Sequence, residues 1–64
     1  MEANEIIQKA LSIANISLNE LKKRTDLSYS YLFALKHNKY SPTLTTIKKI
    51  ADAVGITVSK LLEE

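Results

Sequence analysis

Apolar residues recur at helical spacing along almost the whole chain, and nowhere do they alternate as they would along a strand. Ile6, Ile7, Ala10, Leu11 and Ala14 share one face of a helix predicted over 3–14, which Asn15 ends. Ser17 starts a second helix over 18–25, with Leu18, Leu21 and Thr25 on its inner face. Glu20 stands three residues after Ser17, the spacing at which its carboxylate reaches back to the cap amide. Ser28 caps a third helix over 29–38, in which Tyr31, Leu32 and Leu35 face inward while Tyr29, Ser30, Phe33, Lys36 and His37 face outward. Pro42 biases Ser41 toward extended geometry and closes the loop that follows. Thr43 then caps a fourth helix over 44–54, with Leu44, Ile47, Ile50, Ala51 and Val54 as its apolar stripe and Gly55 as its left-handed stop. Ile56 leads into a last short helix over 58–63, capped by Thr57, with Val58, Leu61 and Leu62 facing in. The expectation is an all-α, compact five-helix domain over 1–64, without repeats, linkers or low-complexity segments.

The second and third helices meet across only three residues, Asp26-Leu27-Ser28. Joined so tightly, they cannot fold back antiparallel and must cross steeply. That is the helix-turn-helix arrangement, which presents its second helix to a DNA groove.

Charge is distributed in a way that fits a polyanionic partner. Residues 22–49 carry seven Lys or Arg against Asp26 alone, a local +6. The remainder carries two basic residues against six acidic ones, −4, and the two parts make the chain's +2. A basic middle between acidic ends suggests a polyanion on one face; chance clustering on a solvated surface is the plain alternative. The chain has no cysteine, and hence neither a disulfide framework nor a thiolate metal site. No apolar run is long enough to span a membrane and no leader pattern opens the chain, so a cytoplasmic protein is expected. A core drawn from 64 residues contributes only about 3–5 kcal/mol of net stability, which makes dimerisation a natural supplement.

From Ser17 onward the pattern resembles the lambda-repressor, Cro and XRE group of bacterial and phage helix-turn-helix regulators. The matching residues are Leu21, Leu27-Ser28, Tyr31-Leu32, Leu35, Pro42-Thr43-Leu44, Ile47, Ile50-Ala51, Val54-Gly55-Ile56, Ser59 and Leu61-Leu62. The resemblance implies five helices, with the third in the major groove and the second across the phosphate backbone. Several positions depart from the group's habits. Lys22 stands where Ala is preferred, so its stem must snorkel outward. Asp26 stands where Gly is common in the turn, and tolerates a left-handed conformation better than most residues. Lys36 and Leu11 replace a Glu–Arg pair, and losing both partners together strands no buried charge.

The candidate base-facing residues are Tyr29, Ser30, Phe33 and Ala34. None is a bidentate reader such as Arg on guanine or Gln on adenine. Tyr and Ser can make single hydrogen bonds to base edges, and Phe33 and Ala34 can touch a thymine methyl, so specificity is expected to be modest or carried by DNA shape. Candidate phosphate contacts are Ser17, Asn19, Ser28, Lys36, His37, Lys39 and Tyr40. The run Lys22-Lys23-Arg24 reads as a solvated face. A self-contact of a homodimer is expected at Val58, Leu61 and Leu62.

Two functions fit these residues. One is a dimeric DNA-binding transcriptional regulator, a repressor by the resemblance, with double-stranded DNA as partner. The other is a protein-interaction module on the same scaffold, an antitoxin or co-regulator, using Tyr29 and Phe33 as an aromatic anchor. The plain reading of that aromatic pair is a hydrophobic patch partly covered by the loop at Tyr40. A lone histidine, scattered carboxylates and a single glycine give no catalytic, metal or cofactor site to expect.

Overall fold

Four of the five helices start on a local hydroxyl cap, and the computed structural model describes residues 2–63. The five helices are α1 (Ala3–Ala14), α2 (Leu18–Thr25), α3 (Tyr29–Lys36), α4 (Leu44–Ala53) and α5 (Val58–Leu62), with no strand among the described residues. The four hydroxyl caps behave alike. Ser17, Ser28, Thr43 and Thr57 each accept the backbone N–H three residues on, at 3.0–3.2 Å. Before each cap stands an apolar residue (Ile16, Leu27, Pro42, Ile56), and four residues into each helix stands another (Leu21, Leu32, Ile47, Leu61). This is the spacing of a hydrophobic staple, which fixes the angle at which the chain enters the helix.

The stops are equally local. Asn15, Asp26, Asn38 and Gly55 take positive φ at the ends of α1 to α4. Three of these ends close with the bond pattern in which the amide beyond the left-handed residue returns to a carbonyl five back: Ile16 to Leu11, Lys39 to Ala34 and Ile56 to Ala51. The second of these ends shortens α3. It was expected to run to Asn38, but Asn38 leaves the helical region at φ 59° and the helix ends at Lys36. The capping box at α2 is half made: Ser17 accepts the Glu20 N–H, but the Glu20 carboxylate turns to Arg24 at 3.3 Å rather than to the cap amide.

The core takes a fully buried side chain from every helix: Ile7, Leu21, Leu32 with Leu35, Ile50 and Leu61. α1 packs on α3 and α5, α2 on α3 and α4, and α4 on α5, so α3 is held between α1 and α2 with its remaining face free. Leu44 does not join the stripe expected of it and stands 66% exposed. Thr46 is buried instead on another face of α4, its hydroxyl satisfied by the Tyr31 Oη and the Thr43 Oγ1, both at 3.1 Å. Leu61 belongs wholly to this core, which removes it from the expected dimer contact; Leu62 is 38% exposed and Val58 half-buried.

Candidate nucleic-acid interface

The interface begins with the turn that sets α3 on α2. Asp26 takes φ 59° and ψ 25°, and its N–H bonds the Lys22 carbonyl at 3.0 Å. The buried Thr25 hydroxyl donates to the Leu21 carbonyl at 2.8 Å and accepts the Leu27 N–H at 3.4 Å, tying the turn to the helix before it. Leu27 packs on the core, and Ser28 caps α3. With Leu32 and Leu35 fully buried, the 3.6-residue repeat leaves Tyr29, Ser30 and Phe33 facing out.

These outward residues form an aromatic edge. Tyr29 and Phe33 stack with ring centres 6.2 Å apart and planes at 25°. Phe33 in turn meets the His37 ring at 4.3 Å. Of the loop at Tyr40, Lys39 borders the pair, while the Tyr40 ring lies against Tyr31, at 6.2 Å. Between the two aromatic groups run Ser30 and Ala34, one turn apart, each bordering a shallow depression on either side. Lys39 lies on the Tyr29–Phe33 side of that saddle and Tyr40 on the Tyr31 side.

Ala34 is only 9% exposed, which weakens it as a base contact. The cause is the early end of α3: the chain turns back so that the Lys39 N–H bonds the Ala34 carbonyl at 2.9 Å, bringing the loop beside the small side chain.

The structure joins His37, Lys39 and Tyr40 to this patch as exposed side chains, with Lys36 half-buried beside them. Ser17, Asn19 and Ser28 are exposed at the starts of α2 and α3. The Ser17 and Ser28 hydroxyls each use an oxygen lone pair for the helix amide, which leaves the hydroxyl hydrogen to donate to a phosphate. The α2 start shares no hydrogen bond with the aromatic patch among the described residues. Lys22 and Lys23 are exposed. Arg24 is engaged structurally, pairing with Glu20 and donating to the Ala53 carbonyl at the end of α4, both at 3.3 Å.

Sequence reasoning missed a lock between α1 and the end of α3. Glu2, the residue before α1, makes no side-chain cap. Asn38 supplies it instead: its Oδ1 accepts the Asn4 N–H at 2.8 Å, and its Nδ2 donates to the Glu2 carboxylate at 3.1 Å. Asn4 reciprocates, its Nδ2 donating to the Lys36 carbonyl at 2.6 Å. Two helix ends thus satisfy each other's free groups across the fold. The legible signal was Asn38 itself, a residue type suited to a left-handed helix stop.

No helix among the described residues is long and apolar enough to cross a membrane. Residues 7–63 match the family model described as a Cro/C1-type HTH DNA-binding domain. Over 45 residues the chain is 38% identical to an immunity repressor protein of Bacillus phage phi105, covering 70% of this chain and 31% of that protein. The chain thus spans about a third of the length of the relative it matches. The match from α1 to α5 takes in the turn, the capped α3 and every helix of the core, and the chain belongs to the Cro/C1-type helix-turn-helix DNA-binding domain family.

Proposed function

We propose that this domain serves a transcriptional repressor, placing α3 in the major groove of double-stranded DNA as one half of a homodimer and catalysing no reaction of its own. The observation that carries the reading is the geometry of α3. Its inner residues Leu32 and Leu35 are locked in the core while Tyr29, Ser30 and Phe33 stand free on the far side of a turn fixed by Asp26 and Thr25. The similarity to a phage immunity repressor supports the sign of regulation. Family membership favours this reading over the interaction module, because the matched domain is a DNA-binding one.

In this reading Lys36, His37, Lys39 and Tyr40 hold phosphates at one end of α3, and the Ser17, Asn19 and Ser28 side chains hold them at the other. A dimer presents two such helices to half-sites about one helical turn, roughly 34 Å, apart. Leu62, with Val58 beside it, is the remaining candidate for the self-contact. The test is selection of bound duplexes from a random library at low salt. Recovery of a two-fold motif with that spacing supports the proposal; recovery of nothing above background defeats it.

A further inference from the structure

We propose that the stacked pair Tyr29–Phe33 reads the C5-methyl groups of thymine, so that this domain selects its sites by methyl contact rather than by paired hydrogen bonds. The inference rests on the DNA-binding reading above and goes on to name which base chemistry α3 recognises.

Three observations converge. From its cap Ser28 to Leu35, α3 carries no Arg, Lys, Asn, Gln, Asp or Glu, and its one charged side chain, Lys36, stands half-buried in the last turn. The exposed start and middle of the helix therefore hold nothing that makes the two-point hydrogen bonds that distinguish one base pair from another. The two largest outward side chains, Tyr29 and Phe33, stand 45% and 44% exposed, and their stacked rings make one apolar ridge along the helix. Ser30 beside them is exposed but small, and Ala34 is small and recessed, so the helix can settle until the rings reach the floor of the groove. The one methyl group that base pairs present in the major groove is that of thymine. An apolar ridge entering that groove gains more contact from thymine than from cytosine, whose C5 carries only a hydrogen at the same pyrimidine position.

Phosphate contacts cannot supply this selection, since they are blind to sequence. Polar readout is left to the Ser30 hydroxyl and the Tyr29 hydroxyl, each capable of a single bond. Tyr31 adds none, because its hydroxyl is held by Thr46.

The experiment takes the preferred duplex recovered from a random library and replaces its thymines by uracil one at a time, which removes the methyl and leaves every hydrogen-bonding group in place. Loss of one buried methyl corresponds to about 0.8 kcal/mol, so affinity is expected to fall about fourfold at one or two positions in each half-site. Phe33→Ala removes the sensitivity at its own position while keeping the salt dependence; Phe33→Leu retains part of it. Where a sensitive thymine is changed to cytosine, 5-methylcytosine restores affinity. Both side chains are exposed, and circular dichroism of each variant confirms that it folds. A sequence-selective domain indifferent to uracil at every position overturns the methyl proposal and leaves DNA binding standing. So does a Phe33→Ala variant with unchanged affinity and unchanged uracil sensitivity. Absence of binding to any duplex at low salt overturns instead the DNA-binding reading beneath it.

Discussion

Gly55 holds φ 75° at the end of α4, and a methyl group added there would meet nothing within 4 Å. Gly55→Ala therefore isolates the cost of a left-handed backbone for a residue with a Cβ. A loss of about 1–2 kcal/mol is expected in urea denaturation. Core residues give larger effects. Leu32 and Leu35 are fully buried between α3 and its neighbours, and truncation of either to Ala should cost about 2–5 kcal/mol. That is comparable to the whole stability expected of so small a core, so such variants should be largely unfolded at room temperature by circular dichroism.

At the scale of the element, the lock between α1 and α3 is the most consequential arrangement. Asn38 combines a left-handed backbone with bonds to Asn4 and Glu2, and it directly precedes Lys39 and Tyr40. Asn38→Gly keeps the backbone conformation and removes the side-chain bonds. The expected result is a loss of about 1 kcal/mol in stability, together with weaker DNA binding as Lys39 and Tyr40 lose their fixed starting point. Asn38→Ala adds backbone strain and should be worse in both measurements. Unchanged stability and affinity in Asn38→Gly would show the lock to be idle.

The same scale shows what was legible in the chain. Helix starts were readable because Ser17, Ser28, Thr43 and Thr57 act through neighbours three residues away. Stops at Asn15, Asp26 and Gly55 were readable because positive φ selects few residue types. The misplacements came from tertiary partners that local pattern does not contain. Leu44 has the spacing of a core residue yet stands exposed in the first turn of α4, while the buried Thr46 is polar and has its hydroxyl satisfied by Tyr31. Glu20 has the spacing of a capping box, yet Arg24 claims its carboxylate. Leu61 was assigned to both core and dimer surface, and complete burial leaves it only the first role. The outward set Tyr29, Ser30 and Phe33 was legible from helical periodicity alone. The stacking that joins Tyr29 to Phe33, and the loop folding that recesses Ala34, were not.

At the scale of the whole molecule, the five helices hold one recognition helix against a core and expose a single coherent face of it, with basic side chains gathered at its far end. The central claim is that this face meets DNA. Equilibrium binding to the selected duplex across a salt series tests it most directly, comparing the native chain with Lys39→Ala and Phe33→Ala. Each neutralised phosphate contributes about −0.9 to the slope of log affinity against log salt, so Lys36 and Lys39 alone predict about −2 per domain. Lys39→Ala should make that slope shallower by about one, while Phe33→Ala should lower affinity for the selected duplex and leave the slope unchanged. Affinity that does not respond to salt, or that survives both substitutions intact, would contradict the account.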